Sequence, residues 1–244
     1  MMKTLLGILY LALFCVGTIA QNPVTSNLAL KQNLLASGEF SFSGSMGHRE
    51  ANGSPYLTEE FLSAMIHWNR MWNEGIDLRY NIYQGNFEVK LENGIIVLDP
   101  IKSNIDTLKY KEEVFVKKYL KVGKDLRVVY LSLLGQQNGY ALYKQYRIIL
   151  TEAITDTDLY HKAKPAEYKT QKPVYYVFRG NEHWTVKGSK TLAEIFQIDA
   201  KVVKSYLKDN KYKLSREEHL LEAVLYFSSS IIFDSSPQRE PGGG

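Results

Sequence analysis

Residues 78–100 alternate apolar and polar side chains between tight turns, and this pattern constrains the fold more than any other. The segment reads LRYNIYQGNFEVKLENGIIVLDP, with turns at residues 84–86 and 92–94. A period of two places successive side chains on opposite faces of a strand, and Asn-Gly permits the positive φ angles of a two-residue hairpin. The segment therefore predicts three consecutive antiparallel strands.

Strand patterns continue through most of the chain as far as residue 187. Strands are predicted at residues 107–110, 114–120, 126–134, 140–150, 174–179 and 183–186. Tyrosine, valine and isoleucine are frequent in these segments, and such residues favour strands. Residues 151–172 are polar and include Thr155-Asp156-Thr157-Asp158, so they predict a loop.

After residue 187 the apolar residues take helical spacing. Helix starts are predicted at Thr191 with Glu194, at Asp199, and at Ser215 with Glu218. These residue types satisfy the free backbone N–H groups at a helix N-terminus. A run of strands followed by helices predicts an α+β fold. We expect an antiparallel β-meander of about eight or more strands, followed by two to three short C-terminal helices.

The first twenty residues have the layout of a secretory signal peptide. Lys3 precedes an apolar run from Leu5 to Val16, and small residues lead to Ala20. Such a segment predicts export with cleavage after Ala20. The mature protein is then periplasmic, outer-membrane-associated or extracellular. No segment of the mature chain approaches the roughly 20 apolar residues of a membrane-spanning helix.

The remaining chain divides by composition into four parts. Residues 21–54 are rich in Asn, Ser and Gly and predict a flexible N-terminal segment. Residues 55–187 form a β-rich domain, and residues 188–228 form a helical segment packed on the same domain. Residues 229–244 are rich in Ser, Pro and Gly and predict a disordered tail.

Composition excludes several classes of chemistry for the mature chain. Its one cysteine, Cys15, lies in the predicted signal peptide, so disulfides and thiolate metal sites are excluded. Removal of residues 1–20 leaves 29 Lys and Arg against 26 Asp and Glu, a net charge of +3. This balance does not predict a nucleic-acid partner. No pattern predicts catalytic, cofactor-binding or metal-binding residues, and we expect no enzymatic activity and no cofactor.

Two of the five histidines precede tryptophans in predicted strands. These pairs are His67 with Trp68 and His183 with Trp184. The simpler interpretation is a strand side chain beside an aromatic ring. The alternative is that both histidines meet as ligands on one face of the sheet. A hydrolase that uses either histidine with a nearby carboxylate remains an alternative function.

Four aromatic residues gather in and just before the first predicted hairpin. They are Trp68, Trp72, Tyr80 and Tyr83. An exposed aromatic row on a sheet is typical of partner and carbohydrate surfaces, so these residues are candidate partner-binding residues. The alternative is that they fill the core and pair across strands.

Residues 184–210 resemble a LysM peptidoglycan-binding module. The stretch predicts a strand, then the T-L-x-E-I pattern from Thr191, then a second short helix. A LysM module closes with a second strand, whereas residues from Ser215 onward have a helical pattern. The resemblance implies a glycan-binding or peptidoglycan-binding module as an alternative function.

Three segments resemble exported, uncharacterised proteins of Bacteroidetes-type bacteria. They are residues 53–61 (GSPYLTEEF), residues 78–83 (LRYNIY) and the Leu-rich closing stretch from Tyr206 to Phe227. The resemblance covers about residues 53–227 and implies a β-rich envelope protein with no assigned catalytic residues. We therefore expect a non-enzymatic binding or accessory subunit of an envelope complex, with a protein of the cell envelope as its partner.

Overall fold

The computed structural model describes residues 32, 40–41, 51–92, 94–154 and 164–230. The predicted signal peptide, residues 1–20, lies outside these ranges, as do residues 231–244 of the predicted tail. Within the described ranges, no helix has the length and apolar character needed to cross a membrane.

The described residues are rich in strands and end in helices, which confirms the predicted order of elements. The strands are β1 (Phe40–Ser41), β2 (Ala51–Asn52), β3 (Leu62–Trp68), β4 (Met71–Asn81), β5 (Asn86–Leu91), β6 (Gly94–Leu98), β7 (Thr107–Tyr110), β8 (Glu113–Val122), β9 (Asp125–Gln137), β10 (Tyr140–Thr151), β11 (Ala166–Arg179) and β12 (Glu182–Thr185). The helices are α1 (Ser189–Phe196), α2 (Ala200–Asp209) and α3 (Glu217–Ser230).

The strands form one large, mostly antiparallel sheet in the order β1-β6-β5-β4-β3-β7-β8-β9-β10-β11-β12. The antiparallel sheet is therefore confirmed. The order of sequential neighbours is interrupted twice, because β1 pairs with β6 and β7 pairs with β3. In addition, β2 pairs in parallel with β11. These three pairings join segments distant in sequence, and alternation within a strand does not specify its partner.

Two segments predicted to be irregular contain strand residues. Residues 40–41 and 51–52 of the predicted flexible segment form β1 and β2. Strand β11 begins at Ala166, so the predicted loop at 151–172 is wrong for its last seven residues. Residues 167–171 pair with the end of β10, for example Tyr168 with Leu150. A long neighbouring strand thus supplies ladder partners that outweigh the polar composition.

The strand predicted around His67 is present and ends in a hairpin. His67 and Trp68 lie in β3, and Trp68 pairs with Met71 across a two-residue loop. The loop residues Asn69 and Arg70 both have positive φ, 51° and 63°. This is the type I′ geometry that matches the twist of a hairpin.

The helix starts agree with the predictions in part. Asp199 caps α2 as predicted, because its Oδ1 accepts a hydrogen bond from the Lys201 N–H at 2.8 Å. The predicted capping box at Thr191 is wrong, since α1 already begins at Ser189. The N–H of buried Leu192 donates to the Gly188 carbonyl, and the first turn therefore closes before Thr191 can act as the cap.

Apolar side chains form three clusters on the two faces of the sheet. The first fills the space enclosed by β3 to β9 and includes Phe87 and Phe115. The second packs the three helices against β10 and β11. The third lies between β8 and β11 and includes Leu120 and Phe178. Phe115 belongs to the first cluster and adjacent Val116 packs on the third, so these two clusters lie on opposite faces of β8.

Candidate functional site

Strands β8 to β12 curl around the third cluster, and their two outer edges approach each other. The pairing of β8 with β7 stops at Val116, and the Lys117 N–H donates to the Asp106 carbonyl, so residues 118–122 form a free edge. At the other side, β12 is the last strand of the sheet. The Lys121 N–H donates to Nε2 of His183 at 3.3 Å, which links the two edges. We call the gap between these edges the seam.

A cleft of about 750 Å³ opens along the seam. It is lined by β8, by Leu126 at the start of β9 and by the β11–β12 hairpin. The lining contains three lysines and one carboxylate. The lysines are Lys117, Lys118 and Lys121, and the carboxylate is that of Glu182. The cleft is therefore positively charged and favours an anionic ligand.

Lys118 has the most unusual environment in the cleft. The strand alternation places it between Val116 and Leu120, on the apolar face of β8. Its Nζ lies 4.9 Å from the ring centroid of Tyr143 and 5.3 Å from that of Phe178. No carboxylate among the described residues forms an ion pair with it. A partly buried cation held only by aromatic rings leaves its charge available to an anion.

The other two lysines have different surroundings. The Nζ of Lys117 donates to the Ser103 carbonyl at 2.5 Å and lies 3.5 Å from a carboxylate oxygen of Asp106. Lys117 therefore holds the loop before β7 against the sheet. The side chain of Lys121 is exposed at the rim. Lys118 is thus the partly buried lysine of the cleft that forms no ion pair with a carboxylate of the described residues, whereas unpaired Lys121 is exposed.

His183 lies in this cleft and His67 does not. The His183 ring stacks on Phe178, with centroids 5.2 Å apart and planes at 23°. Its Nε2 accepts the hydrogen bond from the Lys121 N–H. His67 lies on β3 against the Trp72 ring at 5.2 Å, outside the lining of the cleft, and β7 and β8 lie between β3 and the seam. The interpretation that both histidines form one ligand set is therefore wrong.

The predicted aromatic surface is divided between core and surface. Tyr80 is 2% exposed and contacts the rings of Phe87 and Phe115. The prediction that Tyr80 binds a partner is wrong, because its place in the alternation of β4 turns it toward the first cluster. Trp68 also packs against this cluster and is partly buried.

The other two predicted residues are exposed but lie apart. Trp72 is 42% exposed near the start of β4, and Tyr83 is 47% exposed beyond its end. A strand rises about 3.3 Å per residue, so these eleven positions separate them by roughly 35 Å. Trp72 contacts Lys109, and Tyr83 contacts Tyr168. The two rings do not form one patch, and their contact with a partner stays a prediction.

Residues 55–61 pack against Arg79 on β4. The guanidinium of Arg79 lies 3.7 Å from the Tyr56 ring centroid and 4.4 Å from that of Phe61. It forms an ion pair with Glu88, which also accepts hydrogen bonds from the Tyr56 hydroxyl and from Asn81. Burial, followed by the charge of Glu88, raises the pKa of Tyr56. We call this group the clasp; it fastens residues 55–61 to the sheet.

A second polar network joins α3 to the sheet. The Lys144 ammonium lies 3.3 Å from Glu217 and 3.8 Å from Glu113. Tyr146 donates to Glu113, and Tyr175 donates to Glu217 at 3.1 Å. Burial and the nearby charge of Glu217 raise the pKa of Tyr175 to about 12. The network joins Glu217, at the first turn of α3, to Lys144 on β10 and Tyr175 on β11 and thereby fixes the start of α3.

Sequence reasoning identified His183 and missed Lys118. The signal was present in the stretch from Val114 to Leu120 (VFVKKYL) read as a strand, in which Lys118 occupies a position that alternation assigns to an apolar residue. Among the described residues, no group of three or more His, Cys, Asp and Glu side chains could hold a metal ion. No protein-family model, curated protein or solved structure matches this chain.

Proposed function

We propose that this chain is an exported, non-enzymatic binding protein, which acts as an accessory subunit of a cell-envelope complex and contacts its partner through the seam cleft. The observation that carries the proposal is the ammonium of Lys118, which lines the cleft and forms no ion pair with a carboxylate of the described residues. Export and the envelope location are supported by the signal-peptide pattern at residues 1–20. The resemblance to exported proteins of Bacteroidetes-type bacteria supports the same location.

The physical reason for binding lies in the desolvation of the lysine. Lys118 is partly withdrawn from water, and the two rings compensate its charge only in part. An incoming carboxylate or phosphate would form a charge-assisted hydrogen bond there, which is stronger than a neutral one. The three lysines around the cleft also increase the rate at which an anionic partner arrives.

Capture of the partner from the native envelope tests this function. The tagged chain is recovered in mild detergent as wild type, as Lys118→Met and as the control Lys90→Met, which removes an exposed charge on β5. We expect wild type and Lys90→Met to recover the same envelope protein, and Lys118→Met to recover about tenfold less. Absence of a reproducible partner, or equal recovery by Lys118→Met, would contradict the proposal. Circular dichroism checks that the variants are folded.

Glycan binding is the second candidate, and the aromatic residues of the cleft favour it. Tyr119 is 56% exposed, and Trp184 contributes a second ring to the lining. Rings beside lysines are suited to an acidic sugar. The LysM-like stretch gives less support, because residues 217–230 form α3 where a LysM module has a strand. Sedimentation with purified peptidoglycan sacculi tests this candidate, and no co-sedimentation would contradict it.

A further inference from the structure

The direction of the strands explains why the seam is open. Strands β8 to β12 are five sequential antiparallel neighbours, so β8 and β12 run in the same direction. A closed, wholly antiparallel barrel needs an even number of strands, because adjacent strands alternate in direction. One further strand, antiparallel to both β8 and β12, would complete such a barrel.

The backbone of β8 already presents hydrogen-bonding groups to the seam. Val122 pairs with Asp125 across a two-residue loop, so residues 118, 120 and 122 point their backbone groups at β9. The backbone N–H and carbonyl groups of the intervening residues 117, 119 and 121 point away from β9. Two bonds agree with this direction: the Lys117 N–H donates to the Asp106 carbonyl at 2.8 Å, and the Lys121 N–H donates to His183. Tyr119 lies between them and directs its N–H and carbonyl into the seam.

We propose that the seam receives an acidic, extended segment of the partner protein as an added strand, antiparallel to β8; this rests on the proposed function. Strand addition to a free edge uses main-chain hydrogen bonds for affinity and alternate side chains for specificity. The free edge of residues 118–122 spans about 16 Å, which suits a strand of about five residues. The inward-pointing side chains of that strand would face Lys118, so a carboxylate is expected there.

His183 protects the edge while the seam is empty. Its imidazole satisfies the Lys121 N–H, which would otherwise be an unpaired donor on a free edge. An added strand would replace this bond with a ladder hydrogen bond from its own carbonyl. Substitution of His183 should therefore leave peptide binding unchanged or make it tighter.

A displayed library of random ten-residue peptides provides the probe. The selected peptides are measured by fluorescence polarisation against wild type, Tyr119→Pro, the matched control Tyr119→Ala, and Lys118→Gln. Proline removes only a donor that faces the seam, and an edge strand tolerates it. We expect selected peptides to be enriched in Asp and Glu, and to bind Tyr119→Pro at least about tenfold more weakly than Tyr119→Ala. We expect Lys118→Gln to weaken binding as well.

If Tyr119→Pro does not fold, peptides methylated on alternate backbone nitrogens test whether main-chain hydrogen bonds carry the binding. These peptides should not bind, because they lack the N–H groups that would pair with β8. Equal affinity for both Tyr119 variants and for the methylated peptides would overturn strand addition. A library without binders would also overturn strand addition. The proposed binding function would still stand in that case if wild type captures the envelope partner and Lys118→Met does not. Binding of an acidic oligogalacturonate in place of peptides would overturn a peptide occupant and favour the glycan candidate.

Discussion

Removal of the Arg79 guanidinium should destabilise the chain through the clasp. In Arg79→Met, the buried carboxylate of Glu88 loses its ion-pair partner, since the two side chains are only 12% and 10% exposed. The rings of Tyr56 and Phe61 also lose the cation that lies between them. Loss of one partner of a buried ion pair typically costs about 3–5 kcal/mol, because the other charge remains buried.

The expected loss in the free energy of unfolding lies at the lower end of this range. Glu88 keeps two donors in the variant, the Tyr56 hydroxyl at 3.2 Å and the Asn81 amide at 3.3 Å. Methionine also replaces much of the apolar stem of the arginine. We therefore expect a loss of about 3 kcal/mol in the free energy of unfolding. For a chain of this size, the melting temperature should fall by roughly 6–12 °C.

Urea denaturation followed by circular dichroism measures this loss, and a double-mutant cycle identifies its cause. The double variant Arg79→Met with Glu88→Gln removes both charges, so it should lose less than the sum of the two single variants. A loss below about 1 kcal/mol for Arg79→Met would mean that the pair behaves like an exposed salt bridge. That result, or additive single losses, would refute the reasoning about the clasp.

Three further predictions concern the helix–sheet network and the seam. Glu217→Gln should lower the free energy of unfolding by about 1–3 kcal/mol, because it removes a charged hydrogen-bond partner of a buried lysine; the control Glu218→Gln, at an exposed position, should change the melting curve little. The pKa of Tyr175 is raised to about 12, so the stability from its hydroxyl is complete below the ordinary tyrosine value of about 10 and is lost as pH rises through 12. The stability difference between wild type and Tyr175→Phe should therefore shrink over that interval in alkaline denaturation curves, and a difference that is constant with pH would contradict this. His183→Ala should accelerate hydrogen exchange at the Lys121 amide, measured by NMR, and an unchanged rate would show that the seam hydrogen bond does not protect this amide.

The local elements were accessible from sequence because their causes are local. The alternation and turns of residues 78–98 predicted β4, β5 and β6, and the Asp199 side chain marked the start of α2. The same alternation groups Tyr80 with Leu78 on one face, which is the core face in the structure. This periodicity indicates the position of Tyr80 better than its proximity in sequence to Trp72 and Tyr83 does.

The seam could not be predicted because it depends on long-range pairing. It forms because β7 leaves β8 unpaired after Val116 and because β12 follows β11 through a two-residue loop. Gly180 and Asn181 mark the turn between β11 and β12 in the sequence, but no residue of the cleft specifies where the pairing of β7 with β8 stops. Only Lys118 carried a local signal, as a charged residue at an apolar position of a strand. The preference of the cleft for an anion depends on the tertiary structure, which places the Phe178 ring beside the Lys118 ammonium.

Site-specific photo-cross-linking in the native cell tests most directly whether the seam is the binding site. A photoreactive amino acid is placed at Asn181, which is exposed at the cleft, and separately at Trp72 and at Tyr83, which lie outside its lining. The account predicts a discrete adduct with an envelope protein from position 181. Adducts from position 72 or 83, with none from position 181, would contradict it.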